Sequence, residues 1–575
     1  MDVWNWPIPA DFNQLWAIGA TGPWPNYLMY TVNQPLVAVN ETAEYGQGNI
    51  QFLPGLAQNW TVSPDGKTYT FNLQPNAHFS DGNPLNAYNV WLQEYGYYYL
   101  QANGSNWWME YNIFNMENVS FGQATISMIN SSGGVLNPSA QAKAVMDNSS
   151  WPIYVVGPET IAFRLNAPFI WFPGTLVGFQ GLIYDVQYLL DNGGFGTPTS
   201  VNNYFNHHPL PGTGPYMVTS ISENAYIQFT QDPNYWARNW TPAQIAADPI
   251  FDPGHAKNVI IYYKADDLTR YTDLSTGVVQ ISDIQASDWN LVTSNSQYSY
   301  VSQPSWGGQV MLLGLETALY PTNITLVRQA IVHAINYTNL YQNAYLGLVT
   351  PYVGPEYPAW SQFYDLGNLT PYQYNLTLAK ADIAKANITN MPVFLMRIWS
   401  GCDACTNAAE VIQADLAQIG ITVNLQVLTT GQTLAPMGNY QVNVQNAAQI
   451  GQLDFVNAGG GWGPGALTPA DYWQAFVSNA SVWGNYAAYY NPIVQKCVNS
   501  FTQSDNVTYI QSACKAAQQQ LYNDAPYAWI GVSKAWIPPG GSSVYNKNVV
   551  KGFLLDPLWA GQSSVPFFNT VTFAS

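Results

Sequence analysis

Hydrophobic residues recur along this chain with two periods. In residues 63–90, SPDGKTYTFNLQPNAHFSDGNPLNAYNV, the side chains of Tyr69, Phe71 and Leu73 alternate with polar ones, as on a strand with one buried face. Asp65-Gly66 ahead of them supplies the positive φ angles of a tight hairpin turn, and Asp81-Gly82 turns the chain again. Asn86 is placed to cap a helix that Asn89, Val90 and Leu92 continue, with Pro84 just outside it, where no backbone donor is needed. Farther on, Val327, Ile331 and Ile335 recur at i, i+4 and i+8, a single buried stripe on a helix expected to end at Gly347. Ala408, Ile412, Leu416 and Ile419 make a second helical face, Gly420 stops it, and Ile421, Val423 and Leu425 then alternate as a strand.

At 575 residues the chain is too long for one ordinary core, so two or three lobes are expected. Hydrophobic residues make up 47% and aromatic residues 15%, including 40 Tyr and 22 Trp, more than packing alone usually recruits. Charged residues are 9%, against about a quarter in an average soluble protein. The net charge of -18, from 34 acids and 16 Lys and Arg, leaves no basic stripe and excludes a nucleic-acid partner. Scarcity of both signs suits work in acid, where carboxylates are neutral and every base adds to an uncompensated positive field. An acidic exterior is therefore expected.

Asn-x-Ser/Thr sequons occur at Asn40, Asn59, Asn103, Asn118, Asn130, Asn148, Asn239, Asn323, Asn336, Asn368, Asn375, Asn387, Asn479 and Asn506, a density that favours a glycosylated, secreted surface. No run of 18 apolar residues exists and Met1 is followed by Asp2, so signal peptide and membrane tether are read as absent from this chain, cut away from a longer precursor. The four cysteines include a single CxxC, where zinc needs two converging pairs, so no metal site is assigned and disulfides are expected. Cys497 and Cys514 lie on helical stretches joined by the polar turn TQSDN and would face each other across a hairpin. Cys402 and Cys405 would close a small ring before a helix. Their rival reading, a thioredoxin-like redox pair, ranks lower for want of a strand-CxxC-helix unit in a cytosolic context.

LPGLAQNWTVSPDGKTYTFNLQPNAHFSDGNPLNAYNV resembles the signature of the family 5 extracellular solute-binding proteins, receptors of oligopeptide, dipeptide and oligosaccharide ABC importers. Further blocks follow in the family's order. GTGPY at Gly212–Tyr216 and DPNYW at Asp232–Trp236 resemble a strand-turn-strand segment, VRQAIVHAINYTNLYQNAYLG a family helix, and AAEVIQADLAQIGITVNLQVL a helix-Gly-strand unit. NPIVQKCVNSF and AQQQLYNDAPYAW resemble the late helical hairpin. The resemblance implies an α/β, two-lobed periplasmic-binding-protein type II fold with an extra domain, mixed sheets flanked by helices, and a hinged cleft. Its three domains would be 1–47, 166–265 and 533–575 (domain I), 48–165 (domain II) and 266–532 (domain III). No catalysis and no cofactor are implied, and the partners would be ABC permease subunits and a ligand held by a monomer outside the cell. Where the family often carries acids, this chain has Asn89, Gln280 and Asn375, each keeping an acceptor while removing a group that protonates in acid.

Dipeptide-binding relatives hold the peptide amine with an Asp after a Gly-Trp pair and the carboxylate with an Arg ahead of the IQAD helix. Here ungapped matching puts Gly465 at the first position and Trp399 near the second, with Arg397 two residues away, expected on the other face of its strand. Asp471 or Asp454 would substitute for the amine anchor if the backbone shifts. Trp24 and Tyr27 of GPWPNY, with Trp399 and Trp462, are the aromatic candidates for the cleft, although a core aromatic is the plainer account of any one of them. Aromatic surface and amide side chains lean the ligand slightly to an oligosaccharide, with an oligopeptide nearly level. A secreted glycoside hydrolase would need a carboxylate pair that no motif singles out, and a cell-wall or S-layer protein would not need the domain blocks. His207 and His208 read as plain surface.

Overall fold

The computed structural model describes residues 3–8, 31–39, 51–100, 113–177, 181–264, 266–285, 288–300, 310–356, 360–400, 402–428, 454–456, 461–462, 468–470, 473, 485, 487–534, 542–552 and 568–574.

The alternation at residues 68–73 becomes a strand. Thr68–Leu73 lies between Ala57–Val62 and Thr160–Arg164 in an antiparallel four-stranded sheet that Ile153–Gly157 completes. Tyr69, Phe71 and Leu73 are all buried, with Phe71 edge-on to Phe163 at 5.7 Å. In the turn before it Gly66 alone takes a positive φ, +70°, whereas the sequence reading had Asp65-Gly66 supply two such angles. Asp65 instead accepts from Lys67 N and Ser63 Oγ, an Asx-type turn that does not need the left-handed region. The helix Ala87–Leu100 begins where Asn86 Oδ1 accepts from Asn89 N, and Trp91 Nε1 ties it to the sheet through Ile153 O.

A second four-stranded sheet holds Val3–Ile8, parallel to Asn258–Tyr263, followed by Tyr226–Gln231 and Tyr216–Ser222. Beside it lies a three-stranded sheet in which Ser542–Asn546 runs between Ile281–Ile284 and Tyr298–Tyr300. Residues 281–300 therefore pair with the segment beyond 533, although the resemblance placed those two stretches in domains III and I.

The largest sheet has seven strands, in the order Val349–Pro351, Tyr527–Ser533, Val310–Leu315, Asp454–Val456, Phe394–Trp399 and Val423–Leu428, with Gly461–Trp462 also on Val310–Leu315. Phe394–Trp399 is parallel to both its neighbours, the rest antiparallel. Helix Asp403–Ala417 buries Ala408, Ile412 and Leu416, and Gly420 ends the unit at φ +82°, where a side chain would be strained. The helix bearing Val327 and Ile331 stops at Ala334, short of the expected Gly347, because Ile335 leaves helical geometry and Asn336 opens a new turn, its N–H bound to Asp415 Oδ2 at 2.8 Å. Two long helices, Pro492–Gln503 and Val507–Asp524, form the late hairpin, stapled by a Cys497–Cys514 disulfide.

Candidate functional site

One edge of the seven-stranded sheet gathers the candidates. Phe394–Trp399, Val423–Leu428 and Asp454–Val456 run parallel and finish there, Trp399 beside Leu428 and Arg397 beside Val456. Antiparallel to them, Val310–Leu315 starts at that edge, Val310 lying opposite both Trp462 and Val532. The chain joins this sheet to the three-stranded one twice, from Tyr300 to Val310 and from Ser533 to Ser542, and both connections meet the large sheet at this edge. Ligands of open α/β sheets sit outside the carboxyl ends of parallel strands. Two connections at the same edge are also what a hinge between lobes requires.

Arg397 is 6% exposed. Phe394, Met396 and Ile398 form the opposite, buried face of the strand. The register is unbroken from Phe394 to Trp399, so residues 397 and 399 stand on the same side, which corrects the expectation that they oppose one another: strand faces alternate with a period of two. Trp399 and Trp462 are placed here by their backbone positions. Trp24, Tyr27 and Asp471 lie outside the described residues.

Just past Trp399 the chain makes a Cys402–Cys405 disulfide. Cys402 caps the helix Asp403–Ala417, its Sγ accepting from Cys405 N at 3.2 Å. A strand, a CxxC and a helix do follow one another, contrary to the reason given for setting a redox pair aside. Each cysteine is nevertheless only 2% exposed, which shields both sulfurs from an attacking thiolate. The same helix start reaches toward the three-stranded sheet: Asp403 N lies 3.4 Å from Gln285 Oε1.

Around Gln285 a charged cluster braces the smaller sheet. The wholly buried Arg270 donates to the carbonyls of Asp283 and Lys264 and pairs with Asp267, whose Oδ1 also accepts from Gln285 N. Ser543 Oγ donates to Asp283 Oδ1 at 2.8 Å, tying in the returning strand. Burial, reinforced by neighbouring Asp288, pushes the Asp267 carboxyl up to about 7. The sequence reading missed this cluster; the spacing of Asp267, Arg270 and Asp283 shows no motif.

Elsewhere, burial raises Asp248 to about 8 and Asp185 to about 7, the latter bonded to Asn83 and lying near Asp81. Asn89 donates to Tyr184 O and accepts from Val186 N, a double role that an ionised carboxylate cannot fill. His207 faces Glu223 at 3.3 Å with both side chains exposed, and His208 stacks on Tyr204. Among the described residues no three His, Cys, Asp or Glu side chains group to hold a metal ion, and no helix is long and apolar enough to cross a membrane.

The sequence profile of the bacterial extracellular solute-binding proteins, family 5 Middle, matches residues 51–484. The nickel-binding periplasmic protein of Escherichia coli is 26% identical over 440 residues, covering 72% of this chain and 71% of that protein. The probable D,D-dipeptide-binding periplasmic protein DdpA of Escherichia coli is 23% identical over 538 residues, 92% of this chain and 87% of its own. Among solved structures, the periplasmic binding protein DppA of Helicobacter pylori with the peptide STSA superposes with a TM-score of 0.69 at 20% identity, covering 100% of this chain and 98% of its own. A periplasmic oligopeptide-binding protein of Borrelia burgdorferi gives 0.72 at 15% identity, covering 100% of both chains. At these identities the structures establish the fold, that of the two-lobed type II periplasmic binding proteins.

Proposed function

We propose that this chain, which belongs to the bacterial extracellular solute-binding proteins of family 5, captures a short peptide between two lobes and delivers it to the permease of an ABC importer. The observation that carries the reading is the sheet edge where the buried Arg397, the ends of the parallel strands and both connections to the smaller sheet come together. A guanidinium there offers a planar set of donors to a peptide carboxylate or carbonyl. On this reading residues 281–300 move with the lobe of 542–546.

Peptides also figure in the names or titles of the DdpA, DppA and Borrelia proteins, and none of the relatives above is named for a sugar. The slight lean to an oligosaccharide is therefore dropped. Capture and delivery need no reaction at the site. The raised carboxyls support an acidic exterior, because a folded state that retains protons at mildly acidic pH is built to be stable there.

Titrating wild-type and Arg397→Gln protein with short peptides tests the assignment. Loss of a charge-assisted contact of about 1.5–3 kcal/mol should weaken peptide binding by roughly ten- to a hundredfold. An unchanged affinity in a folded variant would remove Arg397 from the site.

A further inference from the structure

We infer that the exposed sequon asparagines carry N-linked glycans while Asn336 stays bare. Every sequon asparagine in the described residues is exposed except Asn336, which is half-buried. The chemistry of the amide makes the exposed set compatible with modification. A glycan forms its bond at Nδ2, and Asn59, Asn148, Asn375 and Asn506 work through Oδ1 instead, as Asn336 also does.

Asn375 and Asn506 each cap a helix, accepting from Leu378 N at 3.0 Å and Tyr509 N at 3.0 Å. Asn148 Oδ1 accepts both from Ser150 N and from the Ser150 hydroxyl, the hydroxyl residue of its own sequon. Sugar attached at Nδ2 would leave all of these bonds in place, so neither the caps nor the turn stands in the way of modification.

Asn336 differs on two counts. It is partly enclosed, and its backbone N–H is bound to Asp415, which packs the capping turn against a neighbouring helix. The sequons are also unevenly spread. Between Asn148 and Asn323 only Asn239 stands in one, although Asn203, Asn224 and Asn234 are exposed in that stretch, and none follows Asn506. Residues 216–300 and 542–546 thus have a single acceptor among them.

The test is glycopeptide mass spectrometry on the protein purified from the cells that make it. Peptides containing Asn148, Asn375 and Asn506 should carry added hexose-type mass, and those containing Asn336, Asn224 and Asn234 should not. Asn375→Asp and Asn506→Asp keep the capping oxygen and remove the amide, so each should lose its glycan mass while the thermal midpoint stays put. Recovery of the Asn148, Asn375 and Asn506 peptides at unmodified mass would overturn the inference, as would a modified Asn336.

Discussion

Buried carboxyls set how single residues respond to pH. Asp248, raised from 3.8 to about 8 by burial, keeps its proton in the folded state across a range where the unfolded chain has lost it. The folded state then binds more protons than the unfolded one, so its contribution is full below pH 4 and lost as pH rises through about 8. Asp185 acts in the same direction up to about pH 7. Urea unfolding should accordingly give a higher midpoint at pH 5 than at pH 8, and the reverse order would contradict this account. Asp248→Asn should stabilise the protein at both pH values and by more at pH 8 than at pH 5, because it removes the charge that burial penalises. Composition pointed toward acid, but burial of these particular aspartates was not legible: Asp248 sits in AADPIF, a stretch that reads as an ordinary turn. Asn89 was legible as a departure from its family, while its bonds to Tyr184 and Val186 depend on a long-range meeting that no local pattern records.

Elements were read best where apolar periodicity and a stop signal agree. Helix Asp403–Ala417 with its Gly420 terminus, and the strand Thr68–Leu73, carry both signals. The Val327 helix carried only the first. Its apolar stripe continues past Ala334, and the break at Ile335 follows from an Asn336–Asp415 contact between elements distant in sequence. The CxxC was read as a small ring before a helix, and the two cysteines are bonded there; the strand held to be missing is present, since Phe394–Trp399 ahead of them pairs with strands on both sides. In the late hairpin, spacing alone placed Cys497 against Cys514, and they are bonded with Cα atoms 4.7 Å apart. Replacing both with alanine should lower stability by about 3 kcal/mol, read as a drop in the unfolding midpoint that reductant produces in the wild type. At the helix starts, Asn375→Ala should cost about 1 kcal/mol and Asn375→Asp much less, measured by the same melts.

For the whole molecule, conserved-looking blocks were enough to name the family, since residues 51–484 match it, but the lobes required the sheets. Pairing of Ser542–Asn546 with Ile281–Ile284 and Tyr298–Tyr300 joins segments more than two hundred residues apart, and only register reveals it. Aromatic wealth pulled the ligand reading toward sugar, whereas much of it serves cores: Trp91, Trp473, Tyr95 and Tyr97 are among the largest fully buried side chains. The central claim is capture of a short peptide. A thermal-shift series at mildly acidic pH, offering peptides of about two to six residues beside oligosaccharides of matched length, tests it most directly, because saturation by a tight ligand stabilises the folded state by a few kcal/mol. The account predicts that a peptide raises the melting midpoint and that Arg397→Gln diminishes the shift. A shift with an oligosaccharide series and none with any peptide would contradict it.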